Sequence, residues 1–201
     1  MEKLSCILEA ALLAAAQPLS IDKMRSLFTE SERPTGQQIH QALQILAENC
    51  LNRGIELKEV ASGYCFQTKT EYSQWVQRLW EEKPAKYSRA FLETLALIAY
   101  KQPVTRAEIE AIRGVAVNTA IIKTLQEREW IKVVGYKDVP GKPGLYATTK
   151  QFLDYFNLRS IDELPTLAEI QQFGDFPIAA ADISGKADSL NYKLELGSQE
   201  V

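Results

Sequence analysis

The chain says nearly the same thing twice, and this constrains its fold more than any other feature. Leu12-Leu13-Ala14-Ala15-Ala16-Gln17-Pro18-Leu19-Ser20 reads like Leu97-Ile98-Ala99-Tyr100-Lys101-Gln102-Pro103-Val104-Thr105, displaced by 85 positions. Gly63-Tyr64-Cys65-Phe66-Gln67-Thr68-Lys69 matches Gly144-Leu145-Tyr146-Ala147-Thr148-Thr149-Lys150, displaced by 81. Displacements this similar mean that the intervening elements correspond as well, so two copies of one small domain are predicted. A unit of about 80 residues folds around its own core. Two such units suit an adaptor or a nucleic-acid reader better than an enzyme with a central cleft.

In the first copy Leu4, Ile7, Leu8, Ala11, Leu12 and Ala15 form the stripe of an amphipathic helix, which Pro18 ends. A short helix over Ile21 to Leu27 behind Ser20 is predicted next, then a third with Ile39, Leu43, Leu46 and Leu51 inward and Asn52-Arg53-Gly54 offering a positive φ at its end. Ile55 to Val60 and Tyr64 to Thr68 read as a hairpin, and Thr70 to Leu79 as a closing helix. The second copy repeats the order: helices over Ser88 to Lys101, Arg106 to Ile112 and Val117 to Glu129, strands over Ile131 to Tyr136 and Gly144 to Thr148, and a helix over Lys150 to Phe156. Thr105-Arg106-Ala107-Glu108 is a capping box, and Gly114 allows the chain to leave that helix. The expected class is mainly α with small β wings, an α+β fold of two tandem winged-helix domains: 1–80, a linker 81–87, 88–165 and an acidic tail 166–201. Thr166-Leu167-Ala168-Glu169 reads as a further capping box at the start of that tail.

Charge divides along the same lines. Residues 1–83 carry 9 Lys+Arg and 11 Asp+Glu, residues 84–150 carry 11 and 6, and residues 151–201 carry 3 and 9. A positive second repeat beside an acidic tail implies either an anionic partner for one and a cationic partner for the other, or two solvated faces. The apolar run from Leu4 to Ala16 reads as a core helix rather than an export signal, because Glu2 and Lys3 lead it, Glu9 interrupts it and no small-residue cleavage site follows. Cys6, Cys50 and Cys65, odd in number and without C-x-x-C spacing, are expected to be reduced, buried thiols.

Catalytic chemistry finds little footing. His40 is the single histidine, an isolated polar helix position among Gln37, Gln38 and Gln41. Gly185-Lys186 lacks the earlier glycine and the following Ser or Thr of a phosphate-cradling loop, and no metal-spaced Cys/His cluster occurs. No cofactor or metal is expected. As a DNA reader the third helix of the second copy, with Asn118, Thr119, Lys123, Gln126 and Arg128 beside Glu127 and Glu129, is weak, and that of the first copy has no Lys or Arg on its outer face. A winged-helix DNA-binding regulator is the alternative function. Protein association has a better motive: only Ser5 and Glu9 are polar from Leu4 to Ala16. Burial of a large apolar side chain is worth about 1.5–3 kcal/mol. Leu4, Ile7, Leu8 and Leu12 are therefore the candidate dimer-interface residues. The second wing carries a stiff tip, Lys137-Asp138-Val139-Pro140-Gly141-Lys142-Pro143, with Pro140-Gly141 central in a type II turn; it is either a contact element or a well-made hairpin.

The run Phe91-Leu92-Glu93-Thr94-Leu95-Ala96-Leu97-Ile98-Ala99-Tyr100-Lys101-Gln102-Pro103-Val104-Thr105-Arg106-Ala107-Glu108-Ile109-Glu110-Ala111-Ile112-Arg113-Gly114-Val115 resembles the signature of the bacterial segregation and condensation protein B family. Val134-Gly135-Tyr136-Lys137-Asp138-Val139-Pro140-Gly141-Lys142-Pro143-Gly144-Leu145-Tyr146-Ala147-Thr148-Thr149 looks like that family's wing, and Phe152-Leu153-Asp154-Tyr155-Phe156 with Leu164-Pro165 continues it. The chain departs from the pattern in Lys142 for the usual Arg, Ala147 for Gly, and Arg128-Glu129-Trp130 where a glycine usually ends the third helix. The resemblance implies a cytoplasmic, non-enzymatic homodimer that binds the kleisin, segregation and condensation protein A (ScpA). With a structural-maintenance-of-chromosomes (SMC) ATPase the two would act in chromosome condensation and partition, touching DNA only weakly or indirectly and no membrane. It makes Arg106, Glu108 and Arg113 in the second domain, and Asp138, Lys142 and Tyr146 on the wing, the partner-binding candidates.

Overall fold

The computed structural model describes residues 2–79 and 87–166. The expected linker, apart from Tyr87, and the tail beyond Thr166 with its expected capping box lie outside the described residues. The chain forms two compact units, one of residues 2–79 with 153–160 and one of residues 87–152 with 161–166.

In the first unit α1 (Glu2–Ala15), α2 (Ile21–Arg25) and α3 (Gly36–Asn49) precede the antiparallel pair β1 (Ile55–Val60) and β2 (Gly63–Thr68). Ser20 Oγ accepts from the Lys23 N–H at 3.2 Å to start α2, and Thr35 with Gln38 forms a reciprocal capping box at α3. Leu8, Leu12, Leu19, Met24, Ile39, Ala42, Leu43 and Leu46 make the core, with Leu4, Ala11 and Phe66 packed against it. Leu19 exchanges two backbone hydrogen bonds with Tyr64, both 2.9 Å, so the residue after Gln17-Pro18 is stitched to β2. Gly63 sits there at φ +139°, and a Cβ on it would lie 2.1 Å from the Leu19 carbonyl oxygen. Residues 153–160 complete this unit. Asp154 Oδ1 accepts from the Ser62 N–H at 2.9 Å, Asn157 Oδ1 from Gln67 Nε2 at 2.6 Å, and the Leu158 carbonyl from the Ala61 N–H at 2.9 Å.

Several local expectations change here. Leu51 is 71% exposed rather than inward, because α3 stops at Asn49 and Cys50 caps it in an αR conformation. Gly54 is not among the residues with positive φ, so the chain leaves α3 without that device. Leu27 lies beyond the end of α2 and is half exposed. Thr70 to Leu79 is not one helix but a 3-10 turn (Thr70–Tyr72), the short α4 (Ser73–Val76) and a second 3-10 turn (Gln77–Leu79). Cys6 is exposed, Cys50 buried and Cys65 half-buried, so a uniformly buried set of thiols is incorrect. Cys6 falls on the side of α1 away from Leu8 and Leu12.

The second unit holds α5 (Arg89–Lys101), β3 (Val104–Thr105), α6 (Arg106–Arg113), α7 (Thr119–Glu127), β4 (Ile131–Tyr136), β5 (Gly144–Thr148) and the start of α8 (Lys150–Tyr155). Its sheet has the order β3-β5-β4, all antiparallel. Val104 pairs with Tyr146 as Leu19 pairs with Tyr64, so the residue after each Gln-Pro performs the same task in both repeats. Gln102 reinforces the second copy, its Oε1 accepting from the Thr148 N–H at 2.6 Å and from the Thr148 hydroxyl at 2.9 Å. Tyr87 belongs to this unit: its ring stacks on Phe91 at 4.9 Å and meets Trp130 edge-on at 5.6 Å. The Arg128 guanidinium lies 5.0 Å from the centre of the Tyr87 ring and 5.4 Å from that of Trp130.

The glycine missing after α7 is replaced by strain. Glu129 takes φ +57°, its N–H bonds to the Gln126 carbonyl at 2.9 Å, and the Trp130 N–H reaches back to the Leu125 carbonyl at 3.0 Å. This is a Schellman ending made with a glutamate in the left-handed position. Asn157 ends α8 the same way at φ +57°, with the Leu158 N–H bonded to the Leu153 carbonyl at 2.8 Å. Gly114 leaves α6 at φ +70°, as expected.

Candidate partner-binding surface

The region with the signature is held by ion pairs that run between its elements. The Thr105 hydroxyl accepts from the Glu108 N–H at 3.3 Å, and Glu108 Oε2 accepts from the Thr105 N–H at 2.8 Å, which starts α6. Glu108 Oε1 takes a hydrogen bond from Lys137 Nζ at 2.6 Å, bracing the base of the wing against the first turn of that helix. The Lys137 hydrogen bond, followed by those from Thr105, holds the Glu108 carboxyl down at about 2.

Arg106, part-exposed on the same helix, is tied down by its neighbours. Its Nε donates to Glu110 Oε1 at 2.9 Å, Nη1 to the Thr119 hydroxyl at 3.0 Å and Nη2 to the Val117 carbonyl at 2.6 Å. Glu110 Oε1 also accepts from the Val117 N–H at 2.9 Å. That backbone bond and then the Arg106 guanidinium hold the Glu110 carboxyl below its usual range. Together these groups join α6 to the segment entering α7. Arg113 has 6% of its side chain exposed and donates from Nη2 to Glu93 Oε2 at 3.0 Å, while Arg89 pairs with the other Glu93 oxygen at 3.2 Å. Three of the six candidates, Arg106, Glu108 and Arg113, therefore make internal connections.

The wing behaves differently. Asp138, Val139, Pro140, Gly141 and Lys142 are exposed. The Lys142 N–H bonds to the Val139 carbonyl at 2.9 Å and Gly141 has φ +86°, the geometry of the expected type II turn. The Lys137 N–H closes the loop on the Pro143 carbonyl at 2.9 Å. Tyr146 is half-buried in β5, opposite Val133. Asp138 and Lys142 are the candidates turned to solvent on a tip that is already ordered.

On α1 the candidates divide too. Leu8 and Leu12 are 0% and 4% exposed in the core of their own unit and have no area left for a second copy, a correction to the sequence reading. Leu4 and Ile7 are half-buried. The outward apolar side chain is Leu13, 59% exposed, alongside Cys6, Ala10 and Ala14. Leu13 lies off the periodic stripe of Leu8 and Leu12, and that offset is the signal by which the sequence marks it as outward. Glu93 was also missed: it stands in an apolar run, which itself marks a polar group with a partner to find.

Among the described residues no three or more His, Cys, Asp and Glu side chains are grouped to hold a metal ion, and no helix is long and apolar enough to cross a membrane. His40 is exposed, its Nδ1 2.8 Å from the Gly36 carbonyl oxygen.

The fold defines a class: a duplicated α+β protein of small helical units, each closed by an antiparallel hairpin. Residues 6–167 match the family model described as segregation and condensation complex subunit ScpB. The chain is 56% identical over 164 residues, 82% of its length, to a segregation and condensation protein B homolog of Coxiella burnetii, of which the match covers 78%. It is 41% identical over 198 residues to segregation and condensation protein B of Syntrophotalea carbinolica, covering 98% of this chain and 93% of that one. A crystal structure of ScpB from Mycobacterium tuberculosis aligns at 35% identity over 78% of this chain and 96% of its own, with a TM-score of 0.36. The chain belongs to the segregation and condensation complex subunit ScpB family. That family is named for a subunit of a complex acting in chromosome segregation and condensation.

Proposed function

We propose that this chain is a non-enzymatic, cytoplasmic, dimeric adaptor that binds the kleisin ScpA and, through it, an SMC ATPase, in chromosome condensation and partition. The observation that carries this reading is the family match across residues 6–167, which takes in both repeats. Each repeat has the element order of a winged helix, three helices and a hairpin, and the reading takes both as that fold.

The two units have unequal outward equipment. The second offers a wing tip whose backbone is set by a type II turn, with Asp138 and Lys142 exposed beside it. A preordered loop loses little entropy on binding. The first offers the outer side of α1, where Leu13 is exposed beside small Ala10 and Ala14, and self-association is assigned to that side. Arg106, Glu108 and Arg113 serve the kleisin surface indirectly, by holding α5, α6, α7 and the wing base in register. The outer side of α7 supports no strong DNA reading: Lys123 is paired with Glu127 at 3.6 Å, and Glu129 follows at the helix end.

The test is co-purification with the ScpA encoded in the same genome. A folded chain that fails to bind it at micromolar concentration overturns the proposal. Titration with duplex DNA over a salt series checks the DNA side. Neutralising three or four phosphates gives a slope of about −3 to −4 in log affinity against log salt, with no sequence preference.

A further inference from the structure

The second unit leaves one sheet edge uncovered. In the order β3-β5-β4, strand β4 has no neighbour on its outer side among the described residues. Toward β5, Val133 faces Tyr146 and Gly135 faces Leu145, so Val134 is the extra residue of a bulge. The bulge brings Tyr136, opposite Gly144, round to the face of the sheet that carries Val133 and Tyr146, while Lys132, opposite Ala147, lies on the other face. Val133 is 39% exposed, Val134 49% and Tyr136 71%, and Lys132 is exposed beside them. An edge of this kind offers unpaired N–H and C=O groups, and its apolar side chains favour any extended segment that covers both.

Charge selects the occupant. A second copy pairing its own β4 antiparallel, with the twofold axis between Val134 and Gly135, would set Lys132 opposite Lys137 at both ends. Like charges directly opposite are unfavourable, and lysines with a bulge are the usual devices that keep an edge from its own kind. The same lysines favour an acidic segment. Lys132 makes no ion pair among the described residues, whereas Lys137 is held by Glu108 at 2.6 Å. Lys142 is exposed on the tip that follows β4, and residues 84–150 carry 11 Lys+Arg against 6 Asp+Glu. A nucleic acid would meet the lysines but leave the strand carbonyls facing phosphate oxygens, acceptor against acceptor, and the apolar side chains without a match.

We propose that the free edge of β4 is a docking strand for an extended peptide of a partner protein in which apolar residues alternate with Asp or Glu. Its apolar side chains lie on the face of Val133 and Tyr136 and its carboxylates on the face of Lys132, over a run about as long as the six residues of β4. Backbone hydrogen bonds supply the affinity and the two faces set the specificity. The inference is independent of the kleisin reading, since it concerns the backbone of β4 and its test contains no kleisin.

Titration of the full chain, isotope-labelled for NMR, with a synthetic peptide of about eight residues alternating valine and glutamate tests this. The β4 amides should shift and gain protection from exchange, saturating by about 1 mM, while α5 is unchanged. The same peptide with lysine for glutamate should bind about tenfold more weakly or worse, and Lys132→Glu, at an exposed position, should reverse that order. N-methylation of either the valine or the glutamate amides, whichever set faces β4, should abolish binding. A β4 strand that does not respond to the valine-glutamate peptide overturns the proposal, as does equal binding by the lysine peptide or by both methylated ones. Protection of β4 that grows with protein concentration alone, from about 1 to 100 µM, assigns the edge to a second copy. Shifts of β4 with duplex DNA and none with the peptide assign it to a nucleic acid, and either result overturns the proposal.

Discussion

Arg113 Nη2 stands 3.0 Å from Glu93 Oε2, with only 6% of the arginine side chain and 13% of the glutamate exposed. The pair joins the end of α6 to α5, and it changes how a signature arginine should be read. Arg113→Ala leaves Glu93 largely desolvated with Arg89 alone. The expected loss is about 2–4 kcal/mol of unfolding free energy, measured by urea denaturation, because an unpaired buried charge is the expensive state. A variant as stable as wild type would return Arg113 to the direct partner contacts.

Glu129 makes the opposite prediction. Its φ of +57° is a conformation that glycine adopts without a Cβ penalty. Glu129→Gly should raise stability by about 0.5–1 kcal/mol, seen as a higher urea midpoint with an unchanged slope.

Gly63 cannot be replaced cheaply. Its φ is +139°, and a side chain's Cβ at this position would stand 2.1 Å from the Leu19 carbonyl oxygen, so Gly63→Ala must break the Leu19–Tyr64 bridge. A cost of about 2–4 kcal/mol is expected, with faster exchange of the Leu19 and Tyr64 amides. Gly114→Ala meets no atom within 4 Å and should cost less, through backbone strain alone.

Glu108 gives the wing base a pH dependence. Its carboxyl is held down at about 2, below its ordinary 4.5, first by Lys137 and then by Thr105. A group whose folded value is depressed stabilises above its unfolded value and loses that contribution as pH falls from about 4.5 toward 2. Glu108→Gln should flatten the stability profile in that window and leave its shape above pH 5 unchanged. Equal acid dependence in the two proteins would show that the pair contributes nothing.

Leu13 and Leu8 separate assembly from folding. Leu13→Asp, at an exposed position, should halve the mass found by light scattering and leave the circular dichroism intact, whereas Leu8→Asp should unfold the first unit. Alkylation adds a second readout, since Cys6 is exposed, Cys50 is buried and burial pushes the Cys65 thiol up. Cys6 should react more slowly in the wild type than in the L13D variant. A wild-type monomer would refute the assignment of self-association to α1.

The duplicated architecture was legible in the chain because it rests on local causes. Periodic apolar residues, Ser20 and Thr105 as caps, Pro18 and Pro103 as stops, and Gly114 and Pro140-Gly141 as turns act within a few residues of themselves. The α+β class, the helix and strand order and the type II turn follow from them. What the tertiary structure alone decided is who faces whom. Leu51 continues the apolar spacing of Ile39, Leu43 and Leu46, yet it is exposed because α3 stops at Asn49. Arg106 and Arg113 carry the charges of contact residues and make internal ties, because Glu110 and Glu93 are brought beside them by the packing of α5, α6 and α7. Partner choice for a long charged side chain depends on groups distant in sequence, and only the folded chain brings those groups within about 3 Å.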